Sequence, residues 1–191
     1  MLLPALMLWL QGCAPVVLGG AAVGVSVAHD RRTPGTVLDD EQLELQGWGI
    51  LANHPEIREH SRIAVTSYNL VVLLTGQAET QEVSDRFAEM ISRLPKVRRV
   101  INEVTVDPIA SLTSEGEDAV ITSRVKLALI GIKIPEFDPT RIKVVTEAGT
   151  VYLMGLVTPA EAKATVAKVR YVPGVKRVVK LFEYIGRPAA T

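Results

Sequence analysis

Apolar positions recur along this chain in two periods, and the same succession of periods occurs twice. A helical pattern runs from about Glu41 to Leu51 and again from about Asp118 to Ile130. Strict alternation follows, with Ile63/Val65 in one copy and Ile142/Val144 in the other, which predicts strands near 62–67 and 141–146. Ser67-Tyr68-Asn69 and Glu147-Ala148-Gly149 are of hairpin length, and the next strands end at Gly76 and Gly155. A second helix comes next. In copy one Val83, Phe87, Ile91 and Leu94 share a face. In copy two Thr158, Pro159 and Glu161 form a capping box with proline in the first turn. Pro95 or Pro173 stops the helix, and a last strand runs through Val100-Asn102-Val104-Val106 or from Val178 to Tyr184. The predicted unit is αββαβ, in the α+β class: a three-stranded mixed sheet covered on one face by two helices.

The residues repeat as well as the periods. Arg62-Ile63-Ala64-Val65 returns as Arg141-Ile142-Lys143-Val144, at an offset of 79. Val72-Leu73-Leu74-Thr75-Gly76 returns as Val151-Tyr152-Leu153-Met154-Gly155, and Leu94-Pro95-Lys96-Val97-Arg98-Arg99-Val100 returns as Val172-Pro173-Gly174-Val175-Lys176-Arg177-Val178. Two copies are too few for a stacked solenoid, so the chain is a tandem duplication. The expected organisation is a signal segment over 1–12, a tether over 13–38, copy one over 39–107, a linker over 108–117, copy two over 118–185 and a tail over 186–191. Each copy is near the size at which one core is marginal, so packing of one on the other is expected to help.

Charge separates the copies. Residues 39–107 carry 7 Lys/Arg and 12 Asp/Glu, whereas 118–191 carry 12 and 6, within a formal net charge of zero. A basic second half suits an anionic surface. The competing reading is that the two halves attract each other or that the excess is solvated.

The chemistry of catalysis is sparse. His29, His54 and His60 sit in the tether and a loop of copy one, and no phosphate loop or metalloprotease motif is present. Asp39-Asp40 reads as a pair of helix-start acids favoured by the dipole. No metal, cofactor or nucleic acid is expected, because few aromatics and a neutral balance offer neither stacking platform nor basic groove.

The single cysteine, Cys13, closes an uncharged apolar run, and Leu10-Gln11-Gly12-Cys13 has the form of a lipoprotein processing site. No Lys or Arg precedes the run. A thiol at the new N-terminus carries diacylglycerol, and stable anchoring takes two or more fatty chains. An uncleaved transmembrane helix over 1–28, broken by Pro4, Pro15 and glycines, and an ordinary buried thiol are the competing readings.

The Val-x-Leu-x-Gly strand, the Ala-rich helix and the Gly-Val-x-x-Val ending resemble the BON domain. Copy two has them nearly whole in Val151–Val157, Glu161-Ala162 and Pro173–Val178; copy one has Lys96 where the family has glycine. A lipoprotein site followed by two such units resembles the dual BON-domain lipoproteins of the Gram-negative outer membrane. The resemblance implies a non-enzymatic, lipid-anchored protein on the periplasmic side. It also implies binding to anionic phospholipid and support of envelope integrity, near assembly or division proteins. Ala14 after the cysteine, in place of Asp, reads as an outer-membrane address.

Within copy two, Ile121, Val125, Ala128, Leu129 and Ile132 form the core face of the first helix. Val120, Arg124 and Leu127 fall on a neighbouring stripe flanked by Lys126, and this is the candidate phospholipid contact. Val120 stands where the family has Trp. The competing reading packs Val120 and Leu127 against copy one or the linker. Arg170, Lys176, Arg177 and Lys180 are a second candidate for phosphate, against the reading of a solvated face. Trp48, between Gly47 and Gly49, reads as a packing anchor, and also as the candidate contact if the protein is instead an adaptor for an envelope assembly or division complex. The sequence leaves oligomeric state unspecified.

Overall fold

The computed structural model describes residues 30–107 and 112–186. The expected signal segment, Cys13 and most of the tether lie outside them, as does most of the C-terminal tail.

Copy one comprises α1 (Pro34–Asn53), a short α2 (Pro55–Arg58), β1 (Ser61–Tyr68), β2 (Val71–Ala78), α3 (Gln81–Ser92), β3 (Arg99–Asn102) and β4 (Thr105–Val106). Copy two comprises α4 (Leu112–Ile130), β5 (Lys143–Glu147), β6 (Thr150–Val157), α5 (Pro159–Val169) and β7 (Arg177–Tyr184). In each, the middle strand pairs antiparallel with the first and parallel with the last. Thr158 caps α5 in the predicted box, accepting from the Glu161 amide while the Glu161 carboxylate accepts from the Thr158 amide.

Several boundaries differ from the sequence reading. Strands β2 and β6 run past Gly76 and Gly155 to Ala78 and Val157, and Ser67 and Tyr68 belong to β1, so the first turn is Asn69-Leu70. Helix α1 starts at Pro34, inside the expected tether, because Thr33 caps it through the Thr36 amide. Helix α4 starts at Leu112, inside the stretch read as linker. The last strand of copy one is broken into β3 and β4, because the Asn102 side chain accepts from the Val104 amide and draws the backbone out of the ladder.

Equivalent residues perform equivalent local tasks. The hairpin turns Asn69-Leu70 and Ala148-Gly149 have positive φ throughout, as two-residue turns between twisted strands require. Asp40 accepts from the Asn69 and Leu70 amides, each at 2.7 Å, and Asp118 accepts from those of Ala148 and Gly149 at 2.7 and 2.9 Å. A helix carboxylate thus clasps the hairpin in both copies. Asp40 is therefore not a helix-start acid: the helix begins six residues earlier and Asp40 is buried. Lys96 takes the left-handed conformation (φ 71°) that Gly174 takes in copy two (φ 96°), and its ammonium pairs with Asp39 at 2.7 Å.

Each sheet is buried on both sides. One side of copy one packs Ile63, Val65, Val72 and Leu74 on Leu43, Phe87 and Ile91 of the helices. One side of copy two packs Val144, Val151, Leu153 and Val157 on Ile121, Val125 and Leu129. The other sides meet through Tyr68, Val71, Leu73, Tyr152 and Met154, so the two copies form a four-layer α/β/β/α stack. Ion pairs rim the seam: Lys143 to Glu44 at 2.6 Å, Arg98 to Glu183 at 2.9 Å and Arg177 to Glu103 at 3.3 Å.

Residues just before α1 close the seam. Arg31 donates twice to Glu161, at 2.6 and 2.9 Å, and once to the Leu156 carbonyl at 2.9 Å, all in copy two. Arg32 pairs with Asp40 of copy one at 2.8 Å and lies over the Tyr68 ring, 4.0 Å from its centre. Two consecutive arginines therefore strap one copy to the other where the chain enters the fold.

Candidate functional site

Helix α4 buries Ile121, Val125 and Leu129, with Ala128 and Ile132 packed at the margin, so the predicted core face is the observed one. Its other side is uncovered by the described residues. Val120 is 48% exposed, Leu127 69% and Ile130 67%. Neither copy one nor the linker residues described here seal this ridge. Such apolar exposure beside cations marks an interface.

The structure places the four candidate residues around two sides of the helix. Arg124 stands between two shallow grooves. Val120 lines one with it, and Leu127 lines the other together with Lys168 and Tyr171 of the α5 end. Lys126 faces a third groove of about 470 Å³, with Ile130, Arg32 and Tyr68. The Arg124 guanidinium makes one long hydrogen bond, 3.4 Å to the Pro173 carbonyl, and has no carboxylate partner among the described residues. Ile130, Lys168 and Tyr171 escaped the sequence reading. Ile130 carries the helical spacing i+3 from Leu127, but Tyr171 reaches the site only through the packing of α5 on α4.

The second basic group divides. Arg177 is committed to Glu103 across the seam. Lys176 lies over Gly149, beside Val120 and Arg124. Arg170 and Lys180 line a separate groove along α5. The opposite charges of the copies thus meet partly at the seam, while Arg124, Lys126, Lys168, Arg170 and Lys180 have no ion pair among the described residues.

Trp48 is not a packing anchor. It is 67% exposed and shares the outer side of α1 with Leu38 and Leu45, both exposed as well. Gly47 next to it is the buried position: a Cβ there would come within 2.9–3.2 Å of Val65 and Ile91, so α1 turns its glycine inward and its tryptophan outward.

No metal-binding cluster of His, Cys, Asp and Glu occurs among the described residues. His54 and His60 contact Glu56 and Glu79 at 2.9 and 2.7 Å on the surface. No described helix is long and apolar enough to cross a membrane.

The strap gives the seam a pH dependence. Burial by itself would raise the Glu161 carboxyl, but hydrogen bonds from Arg31 and from the Thr158 amide outweigh it and hold the group below its ordinary value. A depressed carboxylate adds stability above its unfolded value of about 4.3, which is lost as pH falls through the folded value. Thermal melts are expected to show a loss of stability below about pH 4.3 that is smaller in Glu161→Gln. Equal acid slopes in the two proteins would remove Glu161 from this role.

Comparison with known proteins agrees with this architecture. The BON domain family matches residues 39–108 and 117–186. The outer membrane lipoprotein DolP of Haemophilus influenzae is 36% identical over 178 residues, covering 93% of this chain and 91% of that protein. A 21 kDa hemolysin of Actinobacillus pleuropneumoniae is 34% identical over 156 residues, covering 82% and 79%. Among solved structures, the C-terminal domain of CdsD, a type III secretion protein of Chlamydia trachomatis, aligns at 15% identity and a TM-score of 0.30 over 77% of this chain and 67% of that one, a likeness that carries no argument. The family matches take in both copies apart from the first turn of α1 and of α4, and the likeness to the lipoprotein extends over nearly the whole sequence. The chain belongs to the BON domain family, with two copies of the domain, and is a non-enzymatic lipoprotein of the outer membrane.

Proposed function

We propose that the second BON domain reads anionic phospholipid through α4, with Val120 and Leu127 entering the interface and Arg124 and Lys126 meeting phosphate. In this reading Cys13 is the lipidated residue and the protein faces the periplasm, supporting envelope integrity by contact with its own leaflet. The observation that carries it is the open ridge of α4: apolar side chains and cations together, with no protein cover among the described residues. A second observation supports it. Arg32, where the chain enters the fold, lines the same groove as Lys126 and Ile130, so the anchor tether arrives beside this helix. The 16 residues between Cys13 and Asp30 allow a reach of at most about 60 Å.

Each cation near an anionic leaflet contributes roughly 1 kcal/mol. Reversing Arg124 and Lys126 to Glu replaces two attractions by two repulsions, about 4 kcal/mol or several hundred-fold in partition. The chain carrying Cys13→Ser is expected to float with phosphatidylglycerol vesicles and not with phosphatidylcholine vesicles, and the double reversal to abolish flotation. Undiminished flotation of the reversed protein overturns the site. Intact mass after globomycin treatment tests Cys13: the unprocessed chain is expected to accumulate.

The exposed Leu38, Leu45 and Trp48 favour a second reading, an adaptor that docks an envelope assembly or division protein on α1. Helix α1 belongs to the opposite outer layer of the stack from α4, so the two readings are separable. A photo-crosslinking residue at position 48 captures protein under the adaptor reading, and one at position 127 captures lipid under the first.

A further inference from the structure

A further groove lies on the other side of α5, apart from the α4 ridge and sharing none of its four residues. An open groove of about 670 Å³ runs between α5 and β7. Its floor is Ala162, Val166 and Pro159, and its far end is the exposed Tyr184 ring. Lys163, Arg170 and Lys180 line it, and no carboxylate among the described residues does.

Local geometry brings these cations together. Lys163 and Arg170 stand seven positions apart, two turns along one side of α5 and its cap. Lys180 lies on the helix-facing side of β7, between Val178 and Phe182, both of which pack into the core cluster. Its apolar stem therefore crosses the groove while the ammonium reaches water at the rim. The Arg170 guanidinium is steadied 5.0 Å from the centre of the Tyr171 ring.

None of the three has a carboxylate partner among the described residues, a state they share with Arg124, Lys126 and Lys168, whereas Arg31, Arg32, Arg86, Arg93, Lys96 and Arg98 are paired. An apolar trough closed by three uncompensated cations matches an amphiphile with a phosphate head and a single acyl chain. The groove also has the volume of a small-ligand cleft.

We propose that this groove binds one anionic single-chain phospholipid, its phosphate among Lys163, Arg170 and Lys180 and its chain along Ala162, Val166 and Tyr184. The site takes a monomer, whereas the α4 ridge meets a bilayer surface.

Calorimetric titration of the full chain carrying Cys13→Ser, with lysophosphatidylglycerol or lysophosphatidylcholine below their micelle concentrations, tests it. The expected result is one lipid per chain, with the anionic lipid at least tenfold tighter. Lys163→Glu with Lys180→Glu is expected to weaken that binding at least tenfold, and the neutral pair Lys163→Gln with Lys180→Gln to weaken it less. Arg124→Glu with Lys126→Glu, which removes flotation, is expected to leave it within twofold. Equal affinity for the two lipids, or sensitivity to the α4 pair alone, overturns the groove. Glycerol phosphate binding as tightly as the lipid also overturns it, because the acyl chain then has no part. So does a tenfold gain on ending the chain at Gly186, which would make the protein's own tail the occupant.

Discussion

Asp40→Ala is expected to cost about 3–5 kcal/mol, a large share of the stability of a domain this size. Asp40 is 2% exposed and its two carboxylate oxygens take four bonds: the Ser67 hydroxyl at 2.6 Å, the Asn69 and Leu70 amides, and the Arg32 guanidinium at 2.8 Å. Alanine leaves a buried hydroxyl and two turn amides without their acceptor, and each unsatisfied donor costs about 1–3 kcal/mol before relaxation and water entry. It also removes the ion pair of Arg32 with copy one, leaving the contact with the Tyr68 ring, so the seam loosens along with the hairpin. Asp118 provides an internal control. It holds the matching turn of copy two with two bonds, has no arginine and is less buried. Asp118→Ala is accordingly expected to cost about 1–2 kcal/mol. Urea melts of the two variants measure the difference, and equal losses would mean that the Arg32 and Ser67 contacts contribute nothing.

Gly76→Ala is expected to destabilise by about 3 kcal/mol or more. Gly76 sits at φ +115°, where L-residues are strained, and a Cβ would overlap the Arg62 carbonyl oxygen on the neighbouring strand. The obstacle is backbone within a paired ladder, opposite Ile63, and cannot swing aside as a side chain can. Gly155 holds the equivalent place within β6 without positive φ, and its Cβ would stand 2.8 Å from the Arg141 carbonyl oxygen. That obstacle is backbone too, but the overlap is smaller and no positive φ adds to it, so Gly155→Ala is expected to cost less than Gly76→Ala, about 1–3 kcal/mol. A loss below about 1 kcal/mol for Gly76→Ala in denaturant melts would show that β1 and β2 separate easily at this point.

The strands, the hairpins, the capping box at Thr158 and the core face of α4 were legible because each is set by residues close together in sequence. The start of α1 was legible in principle: Thr33-Pro34 repeats the Thr158-Pro159 signature, but the arginines before it and Gly35 after it gave the stretch the composition of a tether. The second face of each sheet also left a trace. Val71-Val72-Leu73-Leu74 and Val151-Tyr152-Leu153-Met154 are unbroken apolar runs, and a strand covered on one side alone would alternate. What covers that second face is a matter of distant contacts, as is Asp40 gathering donors from 27 to 30 positions away. The site was legible as a helical stripe, but Tyr171 and Lys168 join it only through helix packing. Trp48 misled because a large aromatic between glycines resembles an anchor, whereas the small residue was the one the core required.

Mutual cover of the two sheets constrains how the duplicated halves could drift apart. A half released from its twin would show Tyr152, Met154 and their neighbours, or Tyr68, Val71 and Leu73, to water, so neither could be discarded after the duplication arose. Only positions away from those shared faces were left at liberty to change, and one inheritor became acid-rich and the other cationic.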